Sequence, residues 1–122
     1  MKKKILVIDD EEDFLTITKL NLEATGIYEV MTLADPKDVV DIVHTFKPDL
    51  ILLDMIMPSM SGAEVCDLLN KDTENKTIPV IIVSALDRKS DKTNVFMKGV
   101  VGYLVKPIDR KEFLAKIELA LQ

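Results

Sequence analysis

The stretch Asp49-Leu50-Ile51-Leu52-Leu53-Asp54-Met55-Ile56-Met57-Pro58 constrains this chain more than any other. Four consecutive aliphatic residues end on a carboxylate, and a proline follows four positions later. An unbroken aliphatic run of this length reads as a strand buried on both faces, as in a parallel sheet covered by helices. Asp54 then lies at the carboxyl end of a central strand, where open α/β sheets bind their ligands. A carboxylate beside so much apolar surface is costly unless something pairs with it, so the partners must come from elsewhere in the chain.

The other segments supply a matching frame. Lys4–Ile8 reads as a first strand closed by Asp9-Asp10. Residues Asp10 to Thr25 read as a helix, with acids in the first turn and Gly26 just past the end. Tyr28–Leu33 reads as an edge strand, since Glu29 and Thr32 interrupt it. Asp35-Pro36 predicts a capped helix start, with Val39, Val40, Val43 and Phe46 facing inward and Lys47-Pro48 ending the helix. Ser61-Gly62-Ala63-Glu64 has capping-box spacing and opens a helix expected to bury Val65, Leu68 and Leu69. A polar loop over Asp72–Thr77 precedes the fourth strand, Pro79–Val83, which leads to Ser84-Ala85. A weakly patterned helix is expected over Asp87–Lys98, closed by Gly99. Val100–Val105 is the fifth strand. Asp109-Arg110-Lys111-Glu112 repeats the capping spacing before a last helix with Phe113, Leu114, Ile117 and Leu121 on its apolar face. Five strand–helix alternations give one parallel sheet with helices on both faces, a single domain over residues 1–122.

In such a sheet all carboxyl ends share one edge, with neighbouring strands about 4.8 Å apart. That edge would gather Asp9, Asp10, Asp54, Ser84 and Lys106. If strands one and three are neighbours, three carboxylates converge and repel one another unless a cation joins them. With oxygen donors alone, a hard cation such as Mg²⁺ fits best. Lys106 offers a point charge for a phosphate oxygen, and Ser84 a hydroxyl. Metal, ammonium and hydroxyl together suit the spread charge of a transferring phosphoryl group, with an aspartate oxygen as nucleophile.

Composition narrows the alternatives. With 16 basic and 21 acidic side chains the net charge is −5, which argues against direct nucleic-acid binding. No apolar stretch reaches the roughly 18 residues of a membrane span. The four-residue apolar run after Met1-Lys2-Lys3-Lys4 is too short for a signal peptide, so a cytoplasmic protein is expected. Cys66 is the only cysteine and reads as a small apolar residue on a helix. His44 reads as an ordinary helix residue, and the basic cluster Arg88, Lys89, Lys92 and Lys98 as a solvated face.

These residues resemble the receiver domain of two-component response regulators of the chemotaxis-regulator type. The resemblance covers essentially the whole chain. It rests on Val7-Ile8-Asp9-Asp10-Glu11, on Asp54 with Met57-Pro58 and Gly62, on Ser84-Ala85, and on Tyr103-Leu104-Val105-Lys106-Pro107. It implies a flavodoxin-like (βα)5 three-layer α/β sandwich with strand order 2-1-3-4-5. It implies phosphorylation of Asp54 by a sensor histidine kinase or a histidine phosphotransfer protein. Mg²⁺ would be held by Asp9, Asp10, Asp54 and the backbone carbonyl of Ile56. Ser84 and Lys106 would contact the phosphoryl oxygens, Tyr103 would change rotamer with state, and the Lys106–Pro107 bond would be cis. The output would be a downstream protein partner or a fused output domain, bound at the face of the fourth predicted helix, fifth strand and last helix. The chain is then either a single-domain regulator or a receiver cut from a longer one.

Two features depart from the family pattern. Val100-Val101 stand where alanine and an acid are usual; with Met97 and Tyr103 they form either extra core or a partner or homodimer surface. Ile56 and Leu86, each two residues past a site residue, are apolar and cannot orient a hydrolytic water, which predicts slow loss of the phosphoryl group. An aspartyl-phosphate phosphatase acting on an external substrate is the rival reading. It usually needs a second aspartate at the position of Ile56 and an inserted cap, and neither is present. A receiver-shaped module that binds partners without phosphorylation is the third reading, and the complete acidic cluster with Lys106 speaks against it.

Overall fold

The computed structural model describes residues 1–72, 78–85 and 100–122. The expected helix over 87–98, and with it Leu86, Met97, Gly99 and the basic cluster, lies outside the described residues, as does most of the predicted 72–77 loop.

Five parallel strands, β1 (Lys3–Ile8), β2 (Tyr28–Leu33), β3 (Leu50–Leu53), β4 (Val80–Ser84) and β5 (Val100–Val105), form one sheet of order β2-β1-β3-β4-β5. This is the order and flavodoxin-like architecture the resemblance implied. Helices α1 (Glu12–Glu23), α2 (Val39–Phe46), α3 (Gly62–Lys71) and α4 (Arg110–Ala120) cover it.

Alternation along each strand divides the core in two. Leu6, Ile8, Ile51, Leu53 and Ile82 pack with Val39, Val43 and Phe46 of α2 and Val65, Cys66 and Leu69 of α3. Ile5, Val7, Leu50, Leu52, Ile81 and Val83 pack with Leu15 and Leu22 of α1 and Phe113 and Ile117 of α4. All four residues of the β3 run are buried because successive side chains serve opposite layers. Each contributes about 1.5–3 kcal/mol by leaving water.

Several local expectations shift. α1 starts two residues later than the charge pattern suggests, because Glu11 keeps an extended backbone (φ −86°, ψ 106°). Pro36–Asp38 forms a separate 3-10 turn, capped by the Asp35 side chain, before α2 begins at Val39. Leu68, expected to be buried, is exposed, and the inward position falls to Cys66 instead. Ser61 and Glu64 make the reciprocal capping box; at α4 the Asp109 carboxylate accepts from the Glu112 N–H. β2 lies at the edge, as its polar interruptions suggest. Of the valine pair, Val100 is core while Val101 is 57% exposed.

Candidate functional site

Register places the chemistry. Ile8 of β1 pairs with Leu53 of β3, and the Asp54 N–H donates to the Ile8 carbonyl, so the next side chains out, Asp9 and Asp54, are neighbours. On the other side of β4, Ser84 pairs with Val105, and the Lys106 N–H donates to the Ser84 carbonyl. Four strand ends thus bring Asp9, Asp54, Ser84 and Lys106 to one edge from positions spread over most of the sequence. The Lys106–Pro107 peptide that carries the lysine is cis.

Carboxylate oxygens of Asp9, Glu11 and Asp54 lie within 4.8 Å of one another. Asp9 and Asp54 are buried, whereas Glu11 is exposed. Asp9 is fully engaged: one oxygen accepts the Glu11 N–H at 2.9 Å and the other the Lys106 ammonium at 2.7 Å. The same ammonium donates to Glu11 Oε1 at 2.8 Å and sits 4.2 Å from the Phe14 ring centroid. Asp10, Asp54, Ile56, Ser84 and Lys106 line an open cleft of about 290 Å³. Asp10 itself is exposed, and the tight carboxylate trio includes Glu11 in its stead.

Burial pushes the Asp54 carboxyl above its ordinary range, and the Asp9 charge adds to the rise. A hydrogen bond with Ser84, the Lys106 charge and the Ile56 N–H act in the opposite direction without cancelling it. For Lys106, burial disfavours the ammonium, but the hydrogen bonds to Asp9 and Glu11 outweigh this and raise its pKa. The site therefore holds more negative charge than one lysine balances.

The loop after Asp54 is fixed by Gly62. Its N–H donates to the Met55 carbonyl at 2.8 Å, and a Cβ there would fall 2.5 Å from the Asp54 carbonyl oxygen and 2.9 Å from Met55 Cα. Only glycine permits this approach of α3 to the strand end.

Of the sequence-predicted residues, Asp9, Asp54, Ser84 and Lys106 come together, Asp10 and Ile56 line the same cleft, and Tyr103 is half-buried on the neighbouring strand, packed against the core. Glu11 and Phe14 are the site neighbours that sequence reasoning left without a role. The available signal was the i, i+2 relation of Asp9 and Glu11, which an extended backbone places on one side. His44 is a partly exposed residue of α2 that pairs with Asp72, Nε2 to Oδ2 at 2.5 Å, tying α2 to the end of α3.

A parallel sheet of this order, with an acidic cluster and a lysine at its carboxyl edge, defines a flavodoxin-like fold with a charged strand-end site, and known proteins share the fold. Residues 5–118 match the response regulator receiver domain. Over 122 residues the chain is 37% identical to the alkaline phosphatase synthesis transcriptional regulatory protein PhoP of Bacillus subtilis (strain 168), and it spans half the length of that relative. Among solved structures, the chemotaxis protein CheY4 of Vibrio cholerae superposes with a TM-score of 0.92 at 26% identity, over 99% of this chain and all of the other. A CheY-like receiver domain protein from Methanospirillum hungatei JF-1 gives 0.91 at 27% identity, over 99% of this chain and 94% of the other. The chain belongs to the response regulator receiver domain family. Receiver domains are signalling domains rather than turnover enzymes on external substrates.

Proposed function

We propose that the chain accepts a phosphoryl group on Asp54 from the phosphohistidine of a sensor histidine kinase or histidine phosphotransfer protein, in the cytoplasm. What carries this reading is the buried Asp54 carboxylate, grouped with the carboxylates of Asp9 and Glu11, the Ser84 hydroxyl and the Lys106 ammonium. In the transfer an Asp54 oxygen attacks phosphorus, the P–N bond breaks, and its electron pair stays on the imidazole nitrogen. The Lys106 ammonium and the Ser84 hydroxyl then bind oxygens of the transferred group.

The all-oxygen donor set and the surplus negative charge fit Mg²⁺, held by the carboxylates of Asp9, Asp10 and Asp54 and the Ile56 carbonyl, with Glu11 in the same cluster. When bound, the ion would supply the positive charge that lets two anions meet. No helix among the described residues is long and apolar enough to cross a membrane. A second cleft, about 570 Å³, opens beside Lys106 and is lined by Phe14, Ile17, Thr18, Pro107, Ile108 and Phe113. Ile17, exposed and apolar in this cleft beside Lys106, suits docking of the phosphodonor.

Phosphorylation changes a single negative charge to roughly −2. Ser84 and Lys106 bind that group better than a bare carboxylate, and the difference biases the segment after β4, Tyr103 and the adjoining face of β5 and α4. That face would then engage a downstream protein partner or a fused output domain. Incubation with acetyl phosphate and Mg²⁺, followed by intact mass, tests the reading. One persistent phosphate on Asp54 is expected; no adduct, or turnover of phosphate without one, would refute it.

Two predictions follow from exposed residues. Ile56 is 61% exposed at the rim of the cleft and offers no hydrogen bond from its side chain to a hydrolytic water. Ile56→Asn is expected to speed phosphate loss severalfold, measured as decay of the phosphorylated mass after the donor is removed; an unchanged rate refutes the account. Val101 is exposed beside Leu119. If this patch joins two copies on phosphorylation, Val101→Asp will hold the phosphorylated chain monomeric in light scattering, while the parent shows the dimer mass.

A further inference from the structure

Lys106 is held from three sides. Asp9 Oδ2 and Glu11 Oε1 accept its ammonium protons at 2.7 and 2.8 Å, and the Phe14 ring lies 4.2 Å from the nitrogen. Its side chain is only 14% exposed. Among the described residues, the carboxylates within ion-pair distance of it are Asp9 and Glu11. The two differ in kind. Asp9 is fixed at the strand end with 1% exposure, and its other oxygen holds the Glu11 N–H. Glu11 is 62% exposed and, although it stands at the N-cap of α1, its side chain makes no capping bond. The Glu11 carboxylate is therefore free of any helix duty, and its contact with Lys106 is the exchangeable one.

We propose that Glu11 and Phe14 park the Lys106 ammonium at the start of α1, and that Lys106 must leave Glu11 to engage a phosphoryl group on Asp54. The proposal rests on Asp54 being the phosphoacceptor. An ammonium has three protons to donate, and two are already committed to carboxylates. The third is not within ion-pair distance of Asp54, so the ammonium must shift to reach a phosphoryl group there, and with Asp9 buried and doubly bonded the contact that yields is the exposed one, Glu11. Glu11 is thus a positioning residue that acts through Lys106. It weakens the hold on the transferred group and keeps the lysine ordered when that group is absent.

The test uses the full chain with Glu11→Gln and Phe14→Leu, the second variant leaving every charge in place. Reductive methylation of the metal-free protein, read residue by residue in a mass spectrometer with exposed Lys116 as reference, reports how firmly Lys106 is held. Beryllofluoride at saturating Mg²⁺ reports phosphoryl-mimic binding. Glu11→Gln is expected to label Lys106 about threefold faster and to bind beryllofluoride about threefold tighter, the scale of one partly exposed ion pair. Phe14→Leu should move both readouts in the same direction, which loss of long-range repulsion from Glu11 would not explain. Unchanged labelling in both variants, or weaker beryllofluoride binding in Glu11→Gln, would overturn the proposal. Failure of beryllofluoride to bind the unaltered chain would overturn the phosphoacceptor reading and the competition with it, whereas unchanged labelling refutes the parking alone.

Discussion

Asp54→Asn is expected to abolish phosphorylation of the chain and, at the same time, to make the chain more stable. The first effect removes the nucleophilic oxygen. The second follows from the electrostatics of the site, where burial and the nearby Asp9 charge both oppose an ionised Asp54. The sign can be worked through. The folded-state pKa of Asp54 lies above the ordinary carboxylate value of 3.8, so between those two values the folded chain binds more protons than the unfolded one. Stability contributed by Asp54 therefore falls as pH rises through that window, and the deficit persists at neutral pH. An asparagine carries no such penalty. The difference in unfolding free energy between variant and parent should open as pH rises above about 4 and then level off in the metal-free state. The variant should also melt at a higher temperature than its parent at neutral pH. Mg²⁺ should narrow the gap, because at the proposed site it would stabilise the folded parent more than the variant. Urea unfolding across pH, with and without Mg²⁺, measures all of this. A variant less stable than its parent at pH 7 would show that Asp54 is compensated in the resting chain. A variant that still takes a phosphate would displace the acceptor from Asp54.

Gly62→Ala is expected to have the largest effect on stability among single-methyl changes at the site. The added carbon would meet backbone, the Asp54 carbonyl oxygen at 2.5 Å and Met55 Cα at 2.9 Å, and neither can swing aside as a side-chain tip can. Relief requires α3 to back away from the β3 end, breaking the Gly62 N–H to Met55 carbonyl bond and loosening the packing of Val65 and Cys66. Overpacking of this kind costs about 2–3 kcal/mol, visible as a lower urea midpoint with little change in slope. Phosphorylation by acetyl phosphate should slow as well, since the shifted backbone is that of Asp54 itself. A loss below about 0.5 kcal/mol would mean the contact relaxes easily and that Gly62 serves another purpose.

The physical reasons why much of this was legible in advance are specific. The β3 run could be read as a doubly buried strand because nothing polar interrupts it, and the structure sends its residues alternately to two core layers. Asp9, Asp54, Ser84 and Lys106 could be placed on one edge because each directly follows or ends an aliphatic run, and parallel strands have all such ends on one side. Strand order was not readable from periodicity and came from family resemblance. The Glu11–Phe14 cradle escaped because it depends on where α1 begins. Asp10, Glu11, Glu12 and Asp13 all suit a helix N-terminus equally well, so charge pattern cannot choose among them. The choice is made by the Asp9 carboxylate, which captures the Glu11 N–H and keeps that residue extended. Leu68 misled for a related reason: on a short helix its neighbour Leu69 and the smaller Cys66 fill the inward arc, and nothing in their hydrophobicity ranks the three.

The ion pair between Asp9 and Lys106 joins residues 97 positions apart, from the first strand and just past the last. A growing polypeptide thus carries its acidic residues and Asp54 before the lysine exists, and β5, the strand that delivers it, is the last of the five in sequence and lies at a sheet edge. On the proposed function, the site is complete only once Lys106 is in place and β5 has joined the sheet. A fragment that stops before Lys106 would lack that contact and bind a phosphoryl group less well.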